Sequence, residues 1–531
     1  MSMYNESAKV KHDIVWYTRG KGLDLGPGKW KTYPHFIGVD QVCLTCRGKA
    51  GHKLGCPDAV NVDVFMDCTK LDIFANQSLD FVFSSHMLED FEDTEAALKE
   101  WWRVIKHGGH LVLYLPHKEL YPNVGSADGN EDHVHDFLPE DIIVCMGQMK
   151  PGWDLLVNEV RDQGDEYSFL QVYKKRPDRQ TNRAYLWPQP ENTCGIVRLG
   201  GFGDMIQTSS ILPGLKEQGY HVTVMTTGGG HDMIKNDPHV DRFLIQDKDQ
   251  VPNEELPAFW DVQRRKFDKF INLSETVEGA FLAIPGRAQS GWPHHVRQRM
   301  MNVNYMEFLH FLAEVPPPPR PAFYPTDFEK RWAKKQREKL HGRVILWTLS
   351  GSSNHKSWPY MDQIIARTLL EYQDVHFVLV GDNACRILEV GWEKDPNVWC
   401  RSGEWSIRET LSFANTVDLV IGPETGVLNA VSMTQIPKIV MLSHSSVENL
   451  SKHWENAISL EPEDCECFPC HILHYGWDKC RRAEDDRPAW VKGIWPVSMT
   501  SGAALCQAKI TPDMVWNAIK NSFLVEAVGV G

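Results

Sequence analysis

The sequence has no long run of apolar residues. No stretch reaches the roughly 18 uninterrupted apolar residues that a membrane-spanning helix needs. Residues 1–13 also lack the apolar segment of a secretory signal. We therefore expect no integral membrane segment, and a protein that stays in the cytoplasm or peripheral to the inner membrane face.

Positive charge is also in short supply. The 56 lysines and arginines are outnumbered by 70 aspartates and glutamates, which gives a formal net charge of −14. Such a balance argues against a broad, sequence-independent grip on nucleic acid, although it leaves a local basic groove open. The chain also has no internal repeat of short period and no long low-complexity tract, which argues against fibrous and repeat architectures.

What the chain does contain is typical of a multidomain globular protein. It has 531 residues, 42% hydrophobic and 24% charged, which predicts about three or four domains. Thirteen cysteines in a chain of this length, without an export signal, indicate thiols or metal ligands before a disulfide scaffold.

Two segments interrupt the globular pattern. Residues 174–183 are polar and basic, and residues 315–321 contain five prolines, which hold the backbone extended. We interpret both as linkers. The predicted organisation is a domain over 1–175, a linker over 176–192, and two lobes over 193–320 and 321–531.

Short apolar runs alternate with longer amphipathic ones in all three pieces, which predicts parallel α/β sheets. In such sheets ligands bind beyond the carboxyl ends of the strands. The predicted helices are Asp93–Ile105 and Asp204–Gln218, the latter ended by Gly219. The predicted strands are Lys21–Leu25, Phe36–Val39, Leu79–Ser84, Gly109–Leu115, Gly195–Leu199, Val222–Met225, Lys269–Asn272, Val344–Thr348, Val375–Val380, Leu419–Ile421 and Lys438–Met441.

A glycine turn follows the first predicted strand. Gly22 to Gly28 reads GLDLGPG, and its glycines allow a sharp turn and close approach of a ligand to the backbone. Lys31 stands where a dinucleotide-binding fingerprint would need another glycine, which weakens that interpretation. Asp40 ends the second strand, where its carboxylate can accept both ribose hydroxyl protons.

The order of these motifs resembles a class I S-adenosylmethionine-dependent methyltransferase over about residues 12–175. The resemblance implies a Rossmann-like domain that binds S-adenosyl-L-methionine. It places Asp24, Gly26 and Gly28 on the methionine and ribose side, Asp40 at the ribose and Asp67 near adenine. Glu89-Asp90 stands where many relatives have Glu-His, and the helix between Gly28 and Asp40 is short.

Other residues of the first piece leave alternatives open. The spacing Cys43-x2-Cys46-x5-His52-x3-Cys56 fits a structural zinc, but it also fits an insertion with free thiols. His117, His133 and His135 could bind a methyl acceptor or act as a base, or they could be solvated loop residues.

The second piece opens with a strand, a glycine-rich turn and a helix that begins at Asp204. The helix dipole stabilises a carboxylate at that position, so the simplest interpretation is an N-capping aspartate. A carboxylate at the edge of a cleft is also placed to take a proton from an acceptor hydroxyl. The two interpretations do not exclude each other.

The third piece carries three further signals. Small residues and Lys356 follow a strand and suit a diphosphate. Residues 418–429 read as strand, turn and helix, where Thr425, Gly426 and backbone amides could bind phosphate. Glu409, on the preceding helix, could hold a ribose.

The second and third pieces together resemble glycosyltransferase family 9, the lipopolysaccharide heptosyltransferases, over about residues 193–525. The resemblance implies a two-lobed GT-B fold without a catalytic metal and a nucleotide-sugar donor such as ADP-heptose. Asp204 would then be the catalytic base, while Lys356, Glu409, Glu424, Thr425, Gly426 and Asn429 would bind the donor. Glu424 and Asn429 replace the aspartate and histidine common in the family.

A second cysteine cluster contains Cys465, Cys467, Cys470, Cys480 and Cys506, together with His471. Its irregular spacing leaves a metal clip and plain thiols both open.

The motifs predict a bifunctional enzyme that adds a heptose-like sugar to a glycan or glycoconjugate hydroxyl and also methylates. Such activities belong to lipopolysaccharide biosynthesis in the family that the chain resembles. Two alternatives remain: modification of nucleic-acid bases, which the acidic balance disfavours, and a non-catalytic binding protein built from degenerate lobes. Retention of Asp204, Lys356 and Asp40 argues against the last of these.

Overall fold

The computed structural model describes residues 6–28, 30–40, 62–177, 182–184, 190–274, 276–284, 288–353, 355–474, 480–484 and 502–528. The chain divides into two compact units. The first contains Met1–Glu191 and Leu244–Asp268, and the second contains Asn192–Phe243 and Lys269–Gly531. The limits of the three predicted pieces stay predictions. Segment 244–268 lies within the predicted second piece, but in the structure it belongs to the same compact unit as Met1–Glu191.

The first unit is built on an eight-stranded sheet with the order β3-β2-β1-β4-β5-β7-β6-β8. Strands β1 to β5 pair in parallel, whereas β7 pairs antiparallel with both β5 and β6. The strand order reverses between β1 and β4, the kind of position at which α/β sheets bind ligands. The strands are β1 Gly22–Leu25, β2 Ile37–Asp40, β3 Val64–Phe65, β4 Leu79–Ser85, β5 Ile105–Pro116, β6 Trp153–Arg161, β7 Ser168–Lys175 and β8 Arg183–Ala184.

Helices cover this sheet. The helix Thr94–Val104 begins at Asp93, whose Oδ1 accepts a hydrogen bond from the Ala96 N–H at 2.9 Å, and it buries Trp101 and Trp102. The other helices described in this unit are Ser7–Val10, Pro139–Met146 and Leu256–Arg264, with 3-10 turns at Val15–Tyr17, Leu88–Asp90 and Asn253–Glu255. The basic segment 174–183 is not wholly a linker, because Lys174 and Lys175 lie in β7.

The helix Leu256–Arg264 contributes to the core of the first unit. Phe259 is fully buried in one cluster with Val10, Ile14 and Val15. Gln263 Nε2 donates to the His12 carbonyl at 2.7 Å, and Gln250 Nε2 donates to the Val15 carbonyl at 2.7 Å. This helix therefore completes a hydrophobic core that also contains Val10, Ile14 and Val15, more than 200 residues earlier in the chain.

The first sheet of the second unit has the order β11-β10-β9-β12. Its strands are β9 Thr193–Val197, β10 His221–Thr227, β11 Arg242–Gln246 and β12 Lys269–Asn272. The predicted helix Asp204–Gln218 is wrong as a single element, since the structure has two helices, Phe202–Ser209 and Leu212–Glu217. Pro213 explains the break, because it lies in the first turn of the second helix and has no N–H to donate to a carbonyl of the preceding turn.

The second sheet of this unit is wholly parallel, with the order β15-β14-β13-β16-β17-β18. The predicted α/β fold class, a Rossmann-like domain followed by two further parallel α/β lobes, is confirmed. The strands are β13 Arg343–Thr348, β14 Val375–Val380, β15 Val398–Cys400, β16 Leu419–Pro423, β17 Lys438–Met441 and β18 Ala457–Leu460.

The remaining helices pack on these two sheets. Across the described ranges, no helix is both long enough and apolar enough to cross a bilayer. The helices are Gly228–Ile234, Thr276–Ala280, His294–Met301, Tyr305–Ala313, Asp327–Arg337, Met361–Glu371, Ile407–Ala414, Gly426–Val431, Leu505–Lys509 and Pro512–Val528, with shorter turns at Ala288–Gly291, Asn383–Glu389 and Val447–Ser451.

Candidate active sites

The glycine turn after β1 forms an open cradle. Gly26 and Gly28 have φ values of +66° and +59°, in the left-handed region that favours glycine. A Cβ on Gly26 would lie 2.5 Å from the Met87 sulfur, so no side chain fits there. A Cβ on Gly28 would meet nothing within 4 Å. The turn thus leaves room for a ligand to approach the backbone.

Three carboxylates predicted to bind the adenosyl cofactor differ in their surroundings. Asp24 is buried, and its Oδ2 accepts a hydrogen bond from the Thr32 N–H at 2.7 Å. Burial raises the pKa of Asp24 to about 7. Asp40, also buried, ends β2. Asp67 accepts hydrogen bonds from the Thr69 N–H and Oγ1 at 2.8 and 2.7 Å, so it also stabilises a local turn.

The zinc ligands predicted in this region, Cys43, Cys46, His52 and Cys56, lie outside the described residues. Two of the three candidate histidines have local partners. His117 Nδ1 accepts from the Glu119 N–H at 3.2 Å, and His135 Nε2 lies 3.2 Å from the Glu92 carbonyl oxygen. The third histidine, His133, contacts a different set of residues, which is described below.

In the second unit, both carboxylate oxygens of Asp204 have partners. Oδ2 accepts a hydrogen bond from the Gly201 N–H at 2.7 Å, which closes the first turn of the helix. Oδ1 lies 2.9 Å from Nη2 of Arg198, a fully buried side chain at the end of β9. The Arg198 guanidinium also pairs with Glu278 at 3.2 Å. Because the Asp204 side chain is still 29% exposed, it can meet a substrate.

Gly200 makes room for this carboxylate. A Cβ on Gly200 would lie 2.4 Å from Asp204 Oδ2, whereas a Cβ on Gly201 would lie 3.6 Å from the same atom. A side chain at position 200 would therefore force the Asp204 carboxylate to move. A side chain at position 201 would make only an ordinary contact with it.

We therefore expect Gly200→Ala to lower glycosyl transfer by about 100-fold, as an ångström-scale misplacement of a reacting group does. Gly201→Ala is the matched control, and its backbone φ of −70° suits alanine. Initial rates with a labelled nucleotide sugar measure both variants. Equal rates for the two variants would contradict this role of Gly200.

Two of the predicted donor residues, Lys356 and Glu424, lie together in a cluster around the buried Glu424 carboxylate. Glu424 follows β16, and its Oε1 accepts a hydrogen bond from the Ser443 N–H at 2.8 Å. Its Oε2 lies 3.7 Å from Lys356 Nζ and pairs with His444 Nδ1. Burial opposes ionisation, but His444 and Lys356 hold the pKa of Glu424 below its ordinary value. The site thus keeps a negative charge next to a lysine.

Two further buried histidines adjoin this cluster. The ring of His355 lies 5.1 Å from that of His444 and 5.3 Å from that of His474. Burial lowers the pKa of His355 to about 2, so its imidazole is neutral. Ser353 Oγ connects two of these elements, since it lies 2.8 Å from His355 Nδ1 and donates to the His474 carbonyl at 2.8 Å.

The glycine turns of the two lobes of the second unit meet. A Cβ on Gly426 would lie 3.1 Å from the Gly203 nitrogen. Asn429 Oδ1 accepts a hydrogen bond from Gln207 Nε2 at 3.1 Å, and its Nδ2 donates to the Thr425 carbonyl at 3.0 Å. Thr425, Gly426 and Asn429 are thus brought next to the helix that carries Asp204.

Glu409 has a local partner instead. Its Oε2 accepts hydrogen bonds from the Ser406 N–H and Oγ, both at 2.8 Å, and so caps its own helix. Nothing in these contacts connects Glu409 with the Glu424 cluster.

The second cysteine cluster lines a cavity. Cys467, Cys470, Cys480 and Cys506 surround it, together with His294 and Arg481. Cys465 Sγ lies 3.5 Å from Cys467 Sγ. Within the ranges that the structure describes, no group of three or more histidine, cysteine, aspartate or glutamate side chains is arranged to hold a metal ion.

Part of the first unit matches a known protein family. A family model described as a methyltransferase domain matches residues 33–113. The N-terminal region carries a methyltransferase domain. Over 91 residues the chain is 30% identical to demethylmenaquinone methyltransferase of Bacteroides fragilis. The match covers 14% of this chain and 37% of that protein. The chain therefore spans little more than a third of the length of this relative.

Much of the chain resembles heptosyltransferases. It is 20% identical over 267 residues to lipopolysaccharide heptosyltransferase 1 of Campylobacter coli, covering 44% of this chain and 78% of that protein. Among solved structures, E. coli ADP-heptose lipopolysaccharide heptosyltransferase II matches with 13% identity and a TM-score of 0.44, over 63% of this chain and 99% of that one. A family 9 glycosyltransferase from Veillonella parvula matches with 14% identity and a TM-score of 0.45, over 64% of this chain and 99% of that one. The sequence comparisons support a methyltransferase and a glycosyltransferase in one chain.

Several residues of these sites were not predicted from the sequence. Arg198 and Glu278 are examples, and so are the buried His444 and His474. A signal was present for Arg198, because a cation at the end of a buried strand needs an anionic partner. No sequence pattern indicates Glu278 or His444. Only the fold brings Glu278 to Arg198, beside Asp204, and His444 to Glu424.

Proposed function

We propose that the second unit is an inverting glycosyltransferase that transfers a heptose-like sugar from a nucleotide-sugar donor to a glycan hydroxyl. One observation carries this proposal: the Asp204 turn of one lobe meets the Gly426 turn of the other, beside the Glu424 cluster. A carboxylate base and a cation therefore lie on the two lobes that would bind acceptor and donor.

The mechanism follows from these positions. Asp204 takes the proton of the acceptor hydroxyl while the oxygen attacks the anomeric carbon, which inverts. The bond from that carbon to the diphosphate breaks, and the negative charge develops on the leaving group. Lys356 and the backbone amide of Gly426 stabilise that charge. Glu424 and His444 offer buried hydrogen-bonding groups for sugar hydroxyls.

Incubation with ADP-heptose and a truncated lipopolysaccharide acceptor, followed by mass spectrometry, tests this activity. We expect a product heavier by one heptose and release of ADP. Mass spectrometry of nucleotides that co-purify with the protein tests the donor class independently. Absence of product with every heptose and hexose nucleotide would contradict the proposal.

We further propose that the first unit binds S-adenosylmethionine and methylates an acceptor. The residues present fit this cofactor, since the turn at Gly28 has open space where a Cβ would be and Asp40 ends the neighbouring strand. Gly26 and Gly28 would hold the cofactor through their backbone, and Asp40 would hold its ribose. When bound, the cofactor supplies an electrophilic methyl group.

Binding of S-adenosylhomocysteine, measured by calorimetry, checks this assignment. We expect Asp40→Ala to weaken binding by about 10- to 100-fold, because two charge-assisted hydrogen bonds to the ribose are lost. Asp162→Ala serves as a control, because this exposed carboxylate follows β6 and accepts a hydrogen bond from its neighbour Gln163. No binding by the wild type, or unchanged binding after Asp40→Ala, would refute the assignment.

A further inference from the structure

A buried polar cluster follows β4 in the first unit. Glu89 is inaccessible to solvent, and among the described residues neither carboxyl oxygen has a well-aligned hydrogen-bond partner, although the backbone amides of Met87 and Glu89 approach the group. His133 Nε2 lies 3.6 Å and His86 Nδ1 lies 3.9 Å from Glu89 Oε1, which is beyond hydrogen-bond distance. A buried carboxyl without a well-aligned partner costs free energy, so it points to a ligand that supplies the missing hydrogen bonds.

The cluster adjoins the proposed cofactor turn. Met87 lies between His86 and Glu89 in the sequence. Its sulfur is 2.5 Å from the position that a Cβ on Gly26 would occupy. Both features lie beyond the carboxyl ends of parallel strands, on the edge where α/β sheets bind ligands. A ligand at Glu89 would therefore be close to the cofactor turn.

A long loop covers the cluster. Residues 118–136 connect β5 to the helix Pro139–Met146 without a helix or strand of their own. The loop carries His133 and is held by hydrogen bonds from the Val134 and His135 N–H groups to the Glu89 carbonyl, at 2.9 and 3.2 Å. Loops of this length in a compact domain usually bind ligands or close over them.

The cluster is neutral and partly aromatic. Burial raises the pKa of Glu89 well above its ordinary value, lowers that of His86 to about 3 and lowers that of His133. The centroid of the Tyr121 ring lies 5.5 Å from that of His133 and 4.9 Å from that of Tyr167, and both ring pairs are tilted. A site with uncharged hydrogen-bonding groups and ring faces suits a neutral hydroxylated ligand, whose apolar ring face can lie on the aromatics.

The nearby charges do not favour an anion. Lys9 lies over the Tyr167 ring at 4.7 Å, but its ammonium pairs with Glu6 at 2.9 Å. The carboxylates of Asp132 and Asp136, on the covering loop, interact electrostatically with His133. The carboxyl of Asp90 lies 4.0 Å from His133 Nε2. A phosphate or carboxylate at this position would be repelled.

We propose that Glu89, His133 and Tyr121 form the methyl-acceptor site of the first unit, and that the acceptor is a hydroxyl group of a neutral sugar. This inference rests on the proposed methyltransferase function. The acceptor oxygen forms a bond to the methyl carbon as its O–H bond breaks. The bound cofactor would supply the methyl group and keep the electron pair of the broken methyl–sulfur bond, and the hydroxyl proton would pass to His133 Nε2. The carboxylates of Asp132 and Asp136, which act on His133 from the same loop, then favour the imidazolium.

Two measurements on the full chain test the inference. With S-adenosylhomocysteine present, saturation-transfer NMR detects binding of methyl hexosides, and we expect Glu89→Gln to weaken this binding by about 10-fold. With deuterated S-adenosylmethionine, mass spectrometry detects methylation of the same sugars. We expect His133→Gln to lower the rate constant at least about 100-fold with little change in KM, as loss of a general base does.

His135→Gln is the matched control, because His135 lies on the same loop and its ring contacts the Glu92 carbonyl. Calorimetry with S-adenosylhomocysteine reports whether each variant keeps its cofactor site, which separates failure of this inference from failure of the methyltransferase function. The inference is overturned if the cofactor-binding wild type neither binds nor methylates any neutral sugar, or if it methylates only amino sugars or sugar phosphates. Wild-type methylation rates in His133→Gln would also overturn it.

Discussion

Asp204→Asn is expected to lower glycosyl transfer by about 10²- to 10⁴-fold, the range that general-base catalysis contributes. Asparagine retains an oxygen that can accept from the Gly201 N–H, so the helix start should persist. It lacks the charge that pairs with Arg198 and cannot take a proton from the acceptor. Steady-state rates with ADP-heptose measure the loss, and we expect donor KM to change little.

Two controls sharpen this prediction. Asp232→Asn, in the same lobe, changes a carboxylate that pairs only with the surface residue Lys235 in the described contacts and should leave the rate near wild type. Glu278→Gln tests the other carboxylate bound to Arg198. A near-wild-type rate in Asp204→Asn, combined with a large loss in Glu278→Gln, would transfer the base assignment to Glu278.

Phe259→Ala is expected to destabilise the first unit by roughly 3–5 kcal/mol, as truncation of a buried phenylalanine does. Phe259 is fully buried, and its ring lies 5.5 Å from that of Trp16 and 5.9 Å from that of His12. The readout is the thermal transition that S-adenosylhomocysteine shifts upward, since a ligand stabilises only the unit that binds it.

Phe311→Ala makes the same substitution at a side chain that is 75% exposed, and it should leave that transition unchanged. If Phe259→Ala also left the transition unchanged, the helix Leu256–Arg264 would not be part of the folded first unit. Partial proteolysis provides a second readout, because a loosened helix should be cleaved near residues 244–268 before the rest of the chain.

The local pattern of the sequence predicts the strands that carry the candidate sites. Val375–Val380, Lys438–Met441 and Lys269–Asn272 agree with the structure at both ends, because continuous apolar runs identify strands buried in parallel sheets. The helix that starts near Asp204 was predicted too long, since the effect of Pro213 on a continuous amphipathic pattern was not recognised.

Contacts between distant segments could not be predicted in this way. Gln250 and Gln263 look like ordinary surface residues of the second piece, yet both are buried against the first unit. Glu89 illustrates the same limit. The sequence shows that Glu89-Asp90 stands where many relatives have Glu-His, but the burial of Glu89 beside His133 depends on how the loop 118–136 folds back.

The helix Leu256–Arg264 also determines when the first unit can complete its folding. Chains are synthesised from the amino terminus, and domains usually fold as they emerge from the ribosome. Here residues 1–191 emerge without Phe259, so their core must wait for a further 70 or so residues, by the numbering of the chain. A gene split at the apparent junction near residue 191 would leave one product without its last core helix and the other with an unburied one. The two units are thus inseparable by a single cut.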